Sequence, residues 1–442
     1  MSTTTYLTKQ ITSAGSRKKA TISLWVKRAG GFGNDQRFFS YENTSVSNNV
    51  TVFKFSGDSI QFADQTGGSN NARYDGTRKL RDPNSWYHFL VKMDTTQSTN
   101  TDRLKIYING ELQSEASYTY PTQNADLNIG HNANAYIDIG RWRGSNNQYF
   151  NGYITHFHYT DGYAYDASSF GSTNSTTGEW TINTSPSVTY GTNGFFIMKD
   201  TNSGTDQSGQ SNNYAVGAGS LIKSEDNPSN VFPILNQLNP QSSGYTFDGR
   251  GSLSVTGNSG DAWRTMYATF GAATGKYYWE QKITNFTGNN PHYIGIVSDD
   301  QISNSNYDNS LATRGYMYTA TGNKVNNNSQ TSYGNSWTTG DIVGIALDLD
   351  NNKIFFSKNG VFQASGDPAN GTNPAFTITS GYTYLPATST YYNLNRYDMN
   401  FGNGYFGTTA VSSAGTNASN IGIFEYDVPT GFTALSTKGL NE

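Results

Sequence analysis

The chain has 442 residues, too many for one small core and enough for two or three folding units. Only 14% of the residues are charged and the net charge is -4, which argues against a nucleic-acid binder with its basic patches; 14% are aromatic, which excludes a disordered chain. The absence of cysteine excludes disulfides and thiolate chemistry, and no apolar run reaches the roughly 18 residues of a membrane span.

The N-terminal stretch MSTTTYLTKQITSAGSRKKATISLWVKR lacks the apolar core of a secretory signal, so folding in the cytoplasm where it is made is expected. Within it, ATISLWVKR alternates Ile22, Leu24 and Val26 with Ser23, Trp25 and Lys27, the period of a strand with one face inward. Strand-like pieces follow at VTVFKF, SIQFAD, WYHFLVKMD, DRLKIYING, YIDIGRW and YFNGYITHFHYTDG. WYHFLVKMD and DRLKIYING form a natural antiparallel pair, and Asn109-Gly110 supplies the positive-φ residues of a tight turn. Turn formers then dominate DTNSGTDQSGQSNNY, and three of the 11 prolines cluster at residues 226–244. Beyond them come GKYYWEQKI, HYIGIVSDD, DIVGIALDLDNNKIFFSKNGVF and YDMNFG, the third of which reads as another hairpin. The expectation is an all-β protein of two antiparallel β-sandwiches in tandem: a first domain over 1–225, a Pro-containing linker over 226–244, and a second domain with a C-terminal extension over 245–442.

Two resemblances follow from these motifs. TISLWVKR, SWYHFLVKMD, LKIYINGELQ, IDIGRW and FNGYITHFHYTDG, in that order, resemble laminin-G or concanavalin A-like jelly rolls. GKYYWEQKI, YIGIVSDD, GYMYTATGNKVNN, GDIVGIALDLDNNKIFFSKNGVF, YLPATS and MNFG resemble a SPRY (B30.2-type) sandwich. GFFIMKDTNSGTDQSGQSNNY is similar to the opening strand of laminin-G-like domains, yet it follows the first sandwich, so Phe195 to Met198 should pair back into it. The connecting segments SSFGSTNSTTGEW, YGTNGFFIMKD and DNPSNVFPILNQLNP, and the ending FEYDVPTGFTALSTKGLNE, resemble virion-associated proteins of tailed phages, notably marine ones. That resemblance implies a protein of the virion, made in the host cytoplasm and released by lysis, with other virion proteins as neighbours and a homo-oligomeric state.

Concanavalin A-like folds also host glycoside hydrolases, which set two carboxylates about 5–9 Å apart across the bond they cleave. None of the eight glutamates sits in the Glu-x-Asp-x-x-Glu pattern of those enzymes, and Glu111 and Glu115 read as a hairpin end, so no catalytic residue is assigned and no enzyme is expected. His156 and His158 share one side of a strand without a third ligand nearby, and an outward wall face is the plainer reading. Asp200 and Asn202 fit the first positions of a calcium loop, but Gly204 and Ser211 break the EF-hand pattern. No metal ligand is therefore assigned and no cofactor is expected, although laminin-G-like relatives leave room for rim calcium.

Aromatic and amide-rich loops suit carbohydrate contact better. NANAYIDIGRWRGSNNQYF offers Tyr136, Arg141, Trp142, Arg143 and Tyr149 around an expected rim of the first domain. SNYDNSLATRGYMY and NSW offer Tyr307, Arg314, Tyr316 and Trp337 in the second, whereas Trp25, Trp86 and Trp279 read as core and Tyr316 falls on a strand of the resembled fold. The functional expectation is an adhesin of tail-fibre or tail-tip type that binds a host-surface glycan or protein without entering the membrane. A structural decoration on capsid or tail stays open, and a glycan depolymerase is the remotest alternative.

Overall fold

The computed structural model describes residues 4–441 except 47, 115, 133, 200–202, 239–244, 248–252, 258–262, 287–291, 303–311 and 392–394. It divides into two compact units, Met1–Lys223 and Ser224–Glu442. The described secondary structure is mostly antiparallel strand, with one parallel pair and a few short 3-10 turns. Among the described residues no helix is long and apolar enough to cross a membrane.

The first unit runs β1 (Tyr6–Ile11), β2 (Lys19–Arg28), β3 (Gln36–Asn43), β4 (Val50–Ser56), β5 (Ser59–Thr66), β6 (Ser69–Asp75), β7 (Trp86–Asp94), β8 (Leu104–Ile108), β9 (Glu111–Leu112), β10 (Ser117–Thr119), β11 (Ala135–Ile139), β12 (Gly152–Asp161), β13 (Gly171–Thr173), β14 (Trp180–Ile182), β15 (Phe195–Ile197) and β16 (Ala215–Ala218). One sheet has the order β10-β6-β5-β4-β3-β11-β1-β16 and the other β15-β12-β2-β7-β8-β9. Their inner faces share one core, in which Phe89 of the smaller sheet meets Phe38, Phe53 and Phe55 of the larger at ring separations of 5.6–6.1 Å. Burying each such ring is worth roughly 1.5–3 kcal/mol. β7 pairs with β8, and Asn109 and Gly110 take φ of +49° and +77° in the turn into β9. The late segment does return: β15 pairs antiparallel with β12, Phe157 opposite Ile197.

One feature of the smaller sheet is not visible in its strand pattern. Thr21, Ser23 and Trp25 alternate outward yet are buried, because residues 162–190 lie over that face. Leu90, Ala167 and Phe170 form a small second core there, with Tyr165, Trp180 and Val188 packed against it.

The second unit pairs a nine-stranded with a six-stranded sheet. Its strands used below are β17 (Lys276–Asn285), β18 (His292–Ser298), β19 (Gly315–Thr319), β20 (Ile342–Asp348), β21 (Lys353–Lys358) and β22 (Thr433–Ala434). β20 and β21 form the expected hairpin, and Asn359 and Gly360 turn out of it at φ of +49° and +81°. The stretch expected as a linker is not free over its described part. Phe232, Ile234 and Leu235 are buried, and Asn236 N–H donates to Tyr267 O at 2.9 Å and Thr269 N–H to Ile234 O at 2.8 Å. A contiguous apolar run, 232–235, made this stretch part of the second unit despite its prolines; residues 239–244 lie outside the described residues.

Candidate functional site

On β1, β11 and β3, Leu7, Ile137, Ile139, Phe39 and Tyr41 point into the core. Period two then sends their neighbours to the opposite face, where Thr8, Asp138 and Ser40 lie abreast, as do Gln10, Tyr136 and Glu42. After β11 the chain turns at Gly140 (φ +89°) and folds back over this face as an irregular hairpin, closed by a bridge between Trp142 and Asn147.

Three guanidinium–aromatic stacks pin the hairpin. Arg141 lies 3.4 Å above the Tyr6 ring, Arg143 3.9 Å above Tyr136, and Arg37 4.4 Å from the centre of Trp142. Beneath them, Asp138 accepts hydrogen bonds from Arg141 Nε and Arg143 at 2.7 Å each and from Thr8 Oγ1. Glu42 accepts the backbone N–H groups of Arg143 and Gly144, both at 3.1 Å, and lies 3.6 Å from Arg37. Burial pushes the Glu42 carboxyl up, against the pull of Arg37, and lowers the Arg37 guanidinium to about 10. Tyr149 donates to Asn146 Oδ1 at 2.7 Å, and the same oxygen receives Arg141 at 2.7 Å.

The five first-domain candidates therefore do come together, but not as equals. Arg141 is 8% exposed and its guanidinium is occupied by Asp138, Asn146 and Tyr6, so it supports the hairpin and is removed as a direct ligand contact. Tyr136, Trp142, Arg143 and Tyr149 are half-buried, and residues 144–147 are exposed beside them. The result is a ledge of ring edges and amides whose cations are largely neutralised from within, suited to hydroxyl-bearing or planar partners. Sequence reasoning missed Tyr6, Arg37, Glu42 and Asp138. Asp138 sits in the recognised YIDIG strand at an outward position, which was the available signal; the other three become neighbours only through sheet order.

Among the described residues the second-domain candidates do not come together on an open surface. Trp337 is 2% exposed and sits in the core, 5.1 Å from His292 and 6.4 Å from Tyr318. Its backbone N–H bonds Ala320 O at 3.0 Å, which draws the NSW loop inward. Tyr316 is likewise buried on β19, its hydroxyl 3.0 Å from Thr379 Oγ1. Arg314 is paired with Asp300 and stacked 4.3 Å from the Tyr382 ring, and Tyr307 lies outside the described residues.

His88 and His158 are roofed, not presented. His88 Nε2 lies 2.8 Å from Ser23 Oγ, and its Nδ1 accepts the Trp180 indole N–H at 3.1 Å. His158 Nδ1 lies 2.9 Å from the Tyr190 hydroxyl, and a bulge at His156 (φ +47°) shifts the strand register. Burial pulls His88 down to about 3 and His158 well below its usual value. Among the described residues no three His, Asp or Glu side chains gather around a metal position. Asp200 and Asn202 lie outside the described residues. Asp206, in the same loop, already accepts Phe196 N, Ser208 N and Asn212 N at 2.7–2.9 Å, a donor set that fits a structural carboxylate and not a cation ligand.

Comparison with known proteins agrees with this architecture. Residues 2–163 match the model of the concanavalin A-like lectin/glucanases superfamily, and residues 276–404 match the SPRY domain. The chain carries a concanavalin A-like domain followed by a SPRY domain. The concanavalin A-like domain thus contributes the hairpin ledge, and the SPRY domain holds the buried Trp337. A curated relative, ATP-dependent RNA helicase DDX1 of Xenopus laevis, is 32% identical over 132 residues, 29% of this chain and 17% of that protein. The chain therefore spans about a sixth of that relative's length. Among solved structures, the SPRY domain of human HERC1 is 21% identical, covering 35% of this chain and 91% of that one with a TM-score of 0.30. A second human SPRY domain is 16% identical, with coverages of 35% and 94% and a TM-score of 0.28. The heptameric SAP-like pentraxin of Limulus polyphemus is 13% identical, with coverages of 36% and 71% and a TM-score of 0.28.

Proposed function

We propose that the protein is a virion-associated adhesin of a tailed phage, binding a host-surface glycan or protein through the hairpin ledge of its concanavalin A-like domain. The observation that carries this reading is the set of half-exposed rings of Tyr136, Trp142 and Tyr149 on a hairpin anchored by Asp138 and Glu42. An aromatic loop on a rigid sheet is a binding device, because rings already held in place contribute contact area with little ordering cost. Lectin-like and SPRY domains are typically binding modules without catalysis. The two carboxylates of this face support the same view, since Glu42 and Asp138 are both buried and fully engaged by arginines and backbone donors. In the virion, weak single sites would act together when a homo-oligomer displays several copies beside other virion proteins.

The test is competition for adsorption. Purified protein should block phage attachment to its host in a dose-dependent way, and Trp142→Ala should abolish the block. Protein that ignores cells but rebinds particles lacking it would replace this reading with a structural decoration. The inward-turned aromatics of the SPRY domain favour that second reading for that domain.

A further inference from the structure

The SPRY match ends at residue 404, yet the chain continues as an ordered arm packed on the second domain. β22 pairs in parallel with β17, Tyr277 opposite Thr433, and Phe424, Phe432 and Leu435 are buried. Glu280 of β17, itself fully buried, accepts the backbone N–H groups of Glu425 and Tyr426 at 2.9 Å each. The arm is therefore a fixed wall, and between it and the turn before β17 lies a cleft of about 530 Å³. That volume falls within the roughly 300–1,000 Å³ of small-molecule sites.

The groups around the cleft narrow its ligand. Lys276 Nζ is 3.0 Å from the buried Asp348, which cancels its charge locally. Asp350 stands exposed at the rim, one oxygen accepting Gly275 N–H at 2.8 Å. An anion would meet Asp350 and find Lys276 already neutralised by Asp348, and a cation would find only Asp350, one oxygen of which is engaged by Gly275 N–H, so neither has a charged partner to spare. What remains around the cleft is hydroxyl chemistry: Thr274, Tyr277 and Thr433, whose Oγ1 donates to Ser419 Oγ at 3.0 Å and keeps its acceptor side, while Ser419 itself is held by Asn417 Oδ1 and Ile421 N–H. Leu440, 41% exposed, offers one apolar edge, too little for a large apolar ligand.

We propose that this cleft, built by the C-terminal arm on the SPRY domain, binds an uncharged polyhydroxylated ligand of mono- or disaccharide size. It is separate from the hairpin ledge and does not depend on the adhesin reading. Saturation-transfer NMR on the full chain, with maltose as neutral probe and glucuronate and glucosamine as charged ones, tests it. Ala418→Trp plugs the cleft from an exposed lining position without removing any bonded group. Maltose transfer should persist in Trp142→Ala and fall at least several-fold in Ala418→Trp, whose thermal unfolding should match the parent. The charged probes should give weaker transfer than maltose. Unchanged maltose transfer in a folded Ala418→Trp protein, transfer lost in Trp142→Ala instead, equal transfer from glucuronate, or no transfer from any probe overturns the proposal.

Discussion

In the concanavalin A-like domain, the aromatic stretch after β11 folds back over the outside of a sheet and is held there by arginine stacks and two carboxylates. In the SPRY domain, similar residue types turn inward: Trp337 joins His292 and Tyr318, and Tyr316 packs against Phe376 and Tyr384. The two domains use the same vocabulary of Tyr, Trp, Arg and Asn, but one presents it and the other buries it. What separates them is the anchoring underneath, since a loop stays outside only when its polar groups find partners there.

Trp337→Ala tests the buried side of this contrast most severely. Deleting a buried indole costs about 3–5 kcal/mol, so hydrogen exchange in the SPRY sheets should accelerate while the first domain is unaffected. Retained protection in the SPRY domain would place Trp337 outside the core. Asp138→Asn addresses the presenting side. It weakens charged hydrogen bonds from Arg141 and Arg143, worth about 1.5–3 kcal/mol together. Exchange at residues 140–150 should rise and host binding should fall although Trp142 is intact; unchanged binding would deny Asp138 a positioning role.

The two domains also differ in what acid does to them. His88 and His158 are buried neutral in the first domain, so stability present above a pKa of about 6.5 is lost as pH falls toward the folded values. At pH 5 this amounts to roughly 2 kcal/mol for His88, with His158 acting in the same direction. The SPRY domain carries one such group, His292, lowered to about 3 by burial. It also carries Glu280, raised by burial to about 7, which has the opposite sign: its contribution is fully present below the unfolded value near 4.5 and lost as pH rises through 7. Between pH 7 and 5 the two SPRY groups offset each other, whereas in the first domain the two histidines outweigh the smaller opposing rise of the buried Glu42 and Asp64 carboxyls, so the first domain should weaken more. Exchange measured at both pH values checks this, and equal acid loss in the two domains would break the contrast.

Much of the scaffold was legible in the chain because it rests on local signals. The hairpin of residues 86–113 and that of 342–362 both carry short β-branched and aromatic runs and an Asn-Gly turn, and Phe195 to Ile197 announced itself as a displaced strand. The candidate site was legible only in part. Whether Trp142 or Trp337 faces solvent depends on which loop finds anchors across the fold, and neither residue's neighbours in sequence encode that. The roof over residues 88 and 158 was missed for the same reason: residues 162–190 have no period to read, and their contacts are made by Trp180 and Tyr190 far from the strands they cover.

The smallest expected stability change belongs to Trp142→Ala, and that smallness makes it the most informative about function. The ring is half-buried and stacked on one guanidinium, so its removal should cost within about 1 kcal/mol, near the range of ordinary surface changes. A residue that anchors a binding surface behaves differently in association, where truncating an aromatic hot spot costs about 2 kcal/mol or more, at least tenfold in affinity. A large loss of adsorption blocking with unchanged unfolding would therefore separate presentation from packing at this position. A large stability loss with binding retained would mean that the ledge is a second core, and the two domains would then treat their aromatics alike.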